Sequence, residues 1–412
     1  MDLGKLSEEQ RAAFDAALLG RSVFISGPGG TGKSFLLHYI VEALRDKGKR
    51  VTVASSTGIS AISIGGSTIH SCLGTRICGS VDELRTCMNP DLARTFHRRM
   101  GLSEVLVIDE ISMLSGMYVE MMDYWLRVNK KDKPFGGLQI IAIGDLLQLP
   151  PVERSRKKIT YRFAFEAPVW MHSGMEVHQL RRSFRQENQA FVDVLNRIRF
   201  GECDEEVLKV FEPCIGRKLE NPLKLLPTNA EVDRINSDAL EECKGDLAIA
   251  EAKLTGSPSN QAKLVKNCIV PQILRIKVGC PVLICKNDTE DGLYANGTRG
   301  TVESFAPGVV TVKTETGTTV ELKRAVWELN EGSRPVATMH QFPLRLAYAI
   351  TIHKSQGMTL DNVQIDLKKV FAEGQTYVAL SRVRTLEGLS LTTPLTPKMV
   401  SAHPKIVEFY RG

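Results

Sequence analysis

Long apolar runs are missing from this chain, and with them any segment of the ~20 residues that a bilayer-spanning helix needs. No membrane partner is expected. Cys-x-x-Cys pairs are missing as well. The nine cysteines are scattered, and neither Cys72 with Cys78 nor Cys280 with Cys285 has the second pair that a zinc site requires. All nine are expected as reduced, mostly buried thiols of a reducing compartment. A large charge excess is absent: 53 Lys and Arg stand against 47 acidic residues, a net of +6. That permits a polyanionic partner without demanding one, and an ordinary slightly basic enzyme fits equally well. There is no short-period repeat and no low-complexity tract. The opening Met1-Asp2-Leu3-Gly4-Lys5 is neither a signal peptide nor an Arg-rich transit peptide. The expected location is the cytoplasm or nucleoid, or the nucleus or mitochondrion if a targeting extension has been removed.

What is present is a globular composition, 43% hydrophobic and 24% charged, in 412 residues, enough for two or three domains. In the first third, short apolar strands alternate with amphipathic helices. Strands are expected at 22–26, 50–55, 105–108 and 139–143. A helix is expected over 35–46, with Phe35, Leu36, Tyr39, Ile40, Ala43 and Leu44 on one face and Gly48 just past its end. This alternation implies a parallel sheet covered on both sides. Residues 65–101 break the rhythm and read as a small insertion. A second α/β unit is expected from about Val177, with a strand at 223–226 and a helix at 229–240. From about Val278 to Leu329, period-2 segments (309–313, 318–322) separated by turns at Gly292, Asn296-Gly297, Gly300, Gly308 and Gly317 predict a small β barrel. The α/β pattern resumes at Leu344.

Gly27-Pro28-Gly29-Gly30-Thr31-Gly32-Lys33-Ser34 fits the phosphate-binding loop in full. Its glycines let backbone N–H groups wrap phosphates. Lys33 would reach the β- and γ-phosphates of ATP, and Ser34 would ligate Mg²⁺. A glycine turn without nucleotide is the plainer alternative, but a strand before and a helix after supply the context the loop requires. In Val105-Leu106-Val107-Ile108-Asp109-Glu110, four apolar residues deliver two carboxylates to a strand's C-terminal end, where ligands bind in open α/β sheets. Asp109 would hold Mg²⁺ and Glu110 would polarise the attacking water. A solvated turn is the alternative for an Asp-Glu pair in isolation. Ile140 to Asp145 ends a further strand and runs into Leu146-Leu147-Gln148-Leu149-Pro150-Pro151. There Gln148 could reach the γ-phosphate, or the segment could be a plain strand and turn.

These motifs continue in an order that resembles a superfamily 1 helicase of the 5′-to-3′ branch, nearest to the petite-integration-frequency (Pif-type) helicases. The similarity runs over nearly the whole chain. Leu6-Ser7-Glu8-Glu9-Gln10 resembles the Q motif, which implies that Gln10 pairs with adenine. Ser56-Thr57-Gly58-Ile59-Ser60-Ala61 and Gly65 to Ser71 resemble strand-binding motifs. Gly144 to Pro151 resembles the third motif, and Met113 to Gly137 the family's signature segment. Leu180-Arg181-Arg182-Ser183-Phe184-Arg185-Gln186, Ile352 to Thr359 and Tyr377 to Arg382 resemble motifs four, five and six. The resemblance implies two RecA-like domains that sandwich one ATP. The first would bind nucleotide through Gln10, Gly27, Gly29, Gly30, Thr31, Gly32, Lys33 and Ser34. The second would supply Arg185 and Arg382 in trans. It implies strand contacts from Thr57, His70, Thr228, Asn229, His353, Lys354 and Ser355. By residue type alone, either arginine could be structural, Thr228-Asn229 could be a helix cap, and His353 could be a packed core histidine. The cluster Met113, Met117, Met121, Met122, Tyr124, Trp125 reads as helix core, and Trp170 as packing.

The expected organisation is a RecA-like first domain (1–65 and 101–177) with a small wedge insertion (66–100). A RecA-like second domain (178–238 and 341–412) follows, with an insertion (239–340) carrying an SH3-like β barrel. The implied activity is ATP- and Mg²⁺-dependent 5′-to-3′ unwinding by a monomer on single-stranded DNA joined to forked or tailed duplex, in replication, repair or recombination. Near-coincidence of the chain ends with the first and last motifs suggests a near-minimal core without a partner-binding tail. A RecD-like recombination or phage replication helicase is the neighbouring reading, and the signature segment favours the Pif type. A translocating ATPase that does not unwind shares the same motor motifs. A small-molecule kinase would need one P-loop domain and an acceptor lid, and the second α/β half with Phe184-Arg185-Gln186 and Ser381-Arg382 argues against it.

Overall fold

The structure, a computed structural model, describes residues 3–57, 60–61, 64–75, 78–151, 160–286, 288, 293–294, 296–331 and 334–412. Gly58 and Ile59 of the first strand-binding motif and the turn expected at Gly292 lie outside the described residues. The chain divides into two compact units. One comprises Met1–Leu146, Pro150–Phe184 and Glu328–Ala337; the other comprises Leu147–Leu149, Arg185–Trp327 and Thr338–Gly412.

The first unit is built on six strands: β1 (Val23–Ser26), β2 (Val51–Ser55), β3 (Ser67–Thr68), β4 (Val105–Asp109), β5 (Gln139–Gly144) and β6 (Glu176–Gln179). They are all parallel, in the order β3-β2-β4-β5-β1-β6. The central strands are buried from end to end, as strands covered on both faces must be. Helix α1 (Glu8–Leu18) opens with a reciprocal cap: the Gln10 N–H donates to Ser7 Oγ and the Ser7 N–H to Gln10 Oε1. Helix α2 (Lys33–Asp46) buries Leu36, Leu37, Ile40, Val41 and Leu44. Its inner face is turned from the expected one. Leu37 and Val41 widen the apolar stripe toward the core, while Phe35 is 42% exposed and packs on Tyr39 at the rim. Val177, expected to open the second unit, instead pairs with Phe24 in β6, the last strand of the first sheet. The second unit takes over at Arg185.

Among the described residues of 65–101 are three helices: α3 (Ile69–Leu73), α4 (Val81–Cys87) and α5 (Pro90–Met100). Each is capped by a side chain, from Thr68, Ser80 and Asn89 respectively. Ser67 and Thr68, inside the expected insertion, form an edge strand of the parent sheet. Met121, Met122 and Trp125 of α6 (Gly116–Asn129) are buried, and the Trp125 indole N–H donates to the Leu73 carbonyl at 2.9 Å. Trp170 is also packed, edge-on to Phe24. The signature segment closes on Asp123. Its carboxylate accepts from the Phe135 backbone N–H at 2.6 Å and from Arg127 Nε at 2.8 Å. These bonds hold a return loop in which Phe135 and Gly136 have φ of 52° and 65°.

The second unit has its own parallel sheet. Strands β7 (Leu223–Leu226), β13 (Ala349–Thr351), β14 (Val363–Ile365) and β15 (Leu389–Leu391) lie in the order β13-β7-β14-β15. Helices α7 (Gln189–Arg199), α8 (Asn229–Glu242) and α9 (Gln375–Leu380) accompany them. A large apolar core runs through Phe191, Leu225, Ile350, Val363, Tyr377 and Leu389. Between β7 and β13 the chain makes a five-stranded antiparallel sheet. Its strands are β8 (Pro281–Ile284), β9 (Arg299–Ala306), β10 (Val309–Thr314), β11 (Thr319–Leu322) and β12 (Leu344–Leu346), in the order β11-β10-β9-β8-β12. Alternation in β10, with Val310 and Val312 inward and Lys313 outward, fills the core of this barrel.

The signature loop yields a stability prediction. A Cβ on Gly136 would lie 2.7 Å from the Leu126 carbonyl oxygen, and its φ of 65° already disfavours any side chain. Gly136→Ala is expected to lose about 1–3 kcal/mol in denaturant unfolding. An unchanged midpoint would mean that the loop does not hold this conformation.

Candidate nucleotide and nucleic-acid site

Strands β4, β5 and β1 are consecutive neighbours and end within one residue of each other, with Ser26 beside Gly144 and Ile108 beside Ala142. Neighbouring strands lie ~4.8 Å apart. The loop after β1, Asp145 after β5 and the Asp109-Glu110 pair at the end of β4 therefore share one short C-terminal edge. Gly32, at φ 77°, starts α2 without a side-chain cap, which leaves the helix's first N–H groups directed into the loop. Lys33 Nζ folds over the same loop and donates to the carbonyls of Gly27 at 2.7 Å and Pro28 at 2.9 Å. Thr31 is buried, with Oγ1 donating to the Pro28 carbonyl at 3.0 Å. Gln10 is buried too. Its Nε2 donates to the Thr31 carbonyl at 3.1 Å, so its amide links α1 to the loop as well as capping the helix.

Asp109 is buried, and desolvation pushes its carboxyl up to about 6 against the opposing pull of the Glu110 backbone N–H and the Lys33 ammonium. Glu110 has φ 53° and ψ 45°, a left-handed conformation that a residue with a Cβ rarely adopts. Hydroxyls at the end of β2 hold this turn: Ser55 Oγ donates to the Asp109 carbonyl at 3.3 Å and Ser56 Oγ to the Glu110 carbonyl at 2.8 Å. Ser34 is exposed at the start of α2. One carboxylate and one hydroxyl match how Mg²⁺ is usually held, by few protein oxygens alongside phosphate and water. The cradle of backbone donors and the lysine above it fit a polyphosphate.

In the second unit, Arg185 and Arg382 are brought together around Ser381. Arg185 Nη1 donates to the Ser381 carbonyl at 3.0 Å and its Nε to Thr359 Oγ1 at 2.9 Å. Arg382, only 1% exposed, donates through Nη2 to Ser381 Oγ at 2.8 Å and through Nε to the Val378 carbonyl at 2.9 Å. Gln186 Nε2 clamps the same turn through the carbonyls of Ser381 and Val383. Burial, then the like charge of Arg382, push Arg185 down to about 9, which still leaves a guanidinium at neutral pH. Gln148 belongs to this unit. Leu149 beside it enters the core, and Gln148 Oε1 accepts from Gln356 Nε2 at 3.3 Å.

The expected strand contacts fall into separate groups. Thr57 Oγ1 caps a turn by accepting from the Ser60 N–H. His70 lies in α3 with its ring 4.5 Å from that of Tyr118. Thr228 is the cap residue of α8, yet its hydroxyl donates to Glu231, which Lys369 also engages; Asn229 is exposed beside it. His353 and Lys354 share a short turn, and burial pushes both groups down from their ordinary range, with Arg345 adding to the effect at Lys354. Ser355 is fully buried, backbone included, and its hydroxyl donates to the Ile352 carbonyl at 2.8 Å, so it holds the turn that carries His353 and Lys354.

Sequence reasoning left Phe184 and Ser56 out of the site. The Phe184 N–H donates to the Gly30 carbonyl at 2.8 Å, and its 53% exposed ring stands beside Gly32 with the Arg182 guanidinium 5.1 Å from its centre. The available signal was an aromatic residue set inside the basic run Arg181 to Arg185.

The family described as PIF1-like helicase matches residues 5–209, and the DNA helicase Pif1 2B domain matches residues 261–305. The ATP-dependent DNA helicase PIF1 of Danio rerio is 37% identical over 99% of this chain and 64% of its own length. That of Bdellovibrio bacteriovorus is 34% identical over 99% of this chain and 92% of its own. The chain thus spans a little under two thirds of its vertebrate relative. The crystal structure of Bacteroides sp Pif1 in complex with ADP-AlF4 superposes with a TM-score of 0.86 at 31% identity, covering 100% of this chain and 97% of the other. Both parallel sheets are RecA-like, and the β-rich insertion is an SH3-like barrel.

The carboxyl of Asp109 gives a pH prediction. With its native pKa raised to about 6 from an ordinary 3.8, the folded state without ligand bears a burial penalty above pH 6. The penalty fades as pH falls and is gone below the unfolded value. Asp109→Asn should therefore exceed the parent in stability at pH 8 by on the order of 2–3 kcal/mol, and match it near pH 4. Denaturant unfolding without nucleotide or Mg²⁺ measures this, and equal stabilities at pH 8 would contradict it.

Proposed function

Because the chain belongs to the PIF1-like helicase family, we propose that it is an ATP-dependent DNA helicase that moves 5′ to 3′ on single-stranded DNA and opens forked or tailed duplex. The observation that carries this reading is the shared C-terminal edge of β4, β5 and β1, where the phosphate loop and two carboxylates converge. Such an edge serves phosphoryl transfer, in which catalysis is mostly positioning and charge stabilisation. In this reading the loop amides and Lys33 bind the phosphates. The residues that would hold Mg²⁺ are Ser34 and Asp109. When bound, the ion neutralises charge on the β- and γ-phosphate oxygens. Glu110, held by Ser56, orients the attacking water and takes its proton. The Phe184 ring offers an apolar face for the base next to Gln10.

Arg185 and Arg382 are assigned to the transferring phosphoryl group. Two guanidinium groups buried side by side repel each other, and a polyanion drawn to them offsets that repulsion. Gln148 is assigned to sensing the γ-phosphate, and its bond to Gln356 supports a link from that sensor to motif five. Thr57, His70, Thr228, Asn229, His353 and Lys354 are assigned to the strand, and the buried Ser355 to holding the turn that carries His353 and Lys354. Hydroxyls, amides and a half-buried lysine suit phosphate oxygens and read no sequence.

Four measurements test the assignment. Lys33→Ala should abolish DNA-stimulated ATP turnover, and Glu110→Gln should bind ATP while hydrolysing it poorly. Arg185→Ala and Arg382→Ala should each lower turnover on the order of a thousandfold, with little change in strand affinity; near-parental turnover in either would remove that arginine from the mechanism. Duplexes with a 5′ single-stranded tail should be unwound in preference to 3′-tailed ones. Lys354→Ala should weaken binding to all sequences alike and flatten the salt dependence by about one phosphate contact.

A further inference from the structure

The helical insertion brings two sulfur atoms together that the proposed chemistry does not use. Cys78 Sγ lies 3.2 Å from Cys87 Sγ. Cys87 is the last residue of α4, and Cys78 stands just before the Ser80 cap at the other end of that helix. A seven-residue helix is about 10 Å long, so the chain entering α4 doubles back along it for the sulfurs to meet. This approach is secured from both sides. The Glu83 N–H donates to Ser80 Oγ, and Glu83 Oε2 accepts from the Gly79 N–H at 2.8 Å, fixing the residue next to Cys78. Cys87 Sγ donates back to the Leu84 carbonyl at 3.3 Å, fixing its own rotamer, while Leu84 anchors the helix in the core.

We propose that Cys78 and Cys87 form a reversible disulfide, a redox modification site that fastens both ends of α4. The sulfurs need approach by only about an ångström to reach bonding distance. Cys87 is the more exposed of the two, with Cys78 buried behind it. With a peroxide as oxidant, the Cys87 thiolate attacks one peroxide oxygen and becomes a sulfenic acid, releasing hydroxide. The Cys78 thiolate then attacks the Cys87 sulfur, the S–S bond forms, and a second hydroxide leaves. The protons of the two thiols convert both hydroxides to water, so two electrons from sulfur reduce one peroxide. A dithiol reductant reverses the change by exchange. Cys72, a few residues earlier, is engaged differently. Its sulfur contacts Ser67 Oγ at 2.9 Å, and burial pushes its thiol up to about 11, which keeps it out of this chemistry.

The test uses the full chain treated with hydrogen peroxide, then alkylated under denaturing conditions and mapped by peptide mass. The expected result is a chain lighter by two hydrogens, with one cross-linked peptide joining Cys78 to Cys87 and the other cysteines alkylated. Dithiothreitol should restore the original map. Hydrogen exchange of the α4 amides should slow about tenfold in the oxidised chain. Cys78→Ser and Cys87→Ser should each abolish the cross-link, and Cys72→Ala should retain it. Cys87 oxidised to the sulfinic acid while Cys78 remains alkylatable would overturn the proposal, as would a cross-link to another cysteine or unchanged exchange in α4. None of these readouts depends on ATP turnover or unwinding, so they stand apart from the helicase assignment.

Discussion

The register between β4, β5 and β1 is the constraint from which the first unit's chemistry follows. A strand that slips by one residue turns every side chain to the opposite face and shifts its end by about 3.3 Å. Either change would separate the phosphate loop from Asp109. The apolar strands Val23–Ser26 and Val105–Asp109 fix that register by being buried throughout, so the core that stabilises the sheet also positions the carboxylate. The electrostatic cost of this design falls on Asp109, whose charge is held where little water reaches.

The second unit meets the same problem with the opposite sign. Arg185 and Arg382 are buried around one serine, and bonds to Ser381, Val378 and Thr359 orient them. Such a pair is well suited to respond to an incoming polyanion.

The alternation of strands and helices and the phosphate loop were legible in the sequence because period and glycine spacing are local properties. The barrel was legible for the same reason, through alternation such as Val309 to Lys313. What remained hidden depended on contacts between distant segments. Val177 lies in a polar stretch, and nothing near it announces that it pairs with Phe24 in the first sheet. Phe35 looks like a core residue by spacing, but the loop at Gly32 sets the helix's rotation and turns it outward. Ser355 carries a hydroxyl in a polar motif and still spends it on its own turn. Phe184 and Ser56 became visible only when the chain folded the Phe184 N–H against Gly30 and the Ser56 hydroxyl against Glu110. Residue types suggested the chemistry, and the third dimension determined which atoms are available for it.

The bond between Ser56 and the Glu110 carbonyl ties two clocks together. Ser56 is the immediate neighbour of Thr57, in the segment assigned to the strand, and Glu110 carries the carboxylate assigned to water. A hydrogen bond of 2.8 Å is lost when its partners part by less than an ångström. In the proposed assignment, a pull on Thr57 would act through this bond on a residue whose backbone is already wound against its preference. In a motor of the proposed kind, fuel would be consumed in step with the rail beneath it, and an engine off its rail would idle.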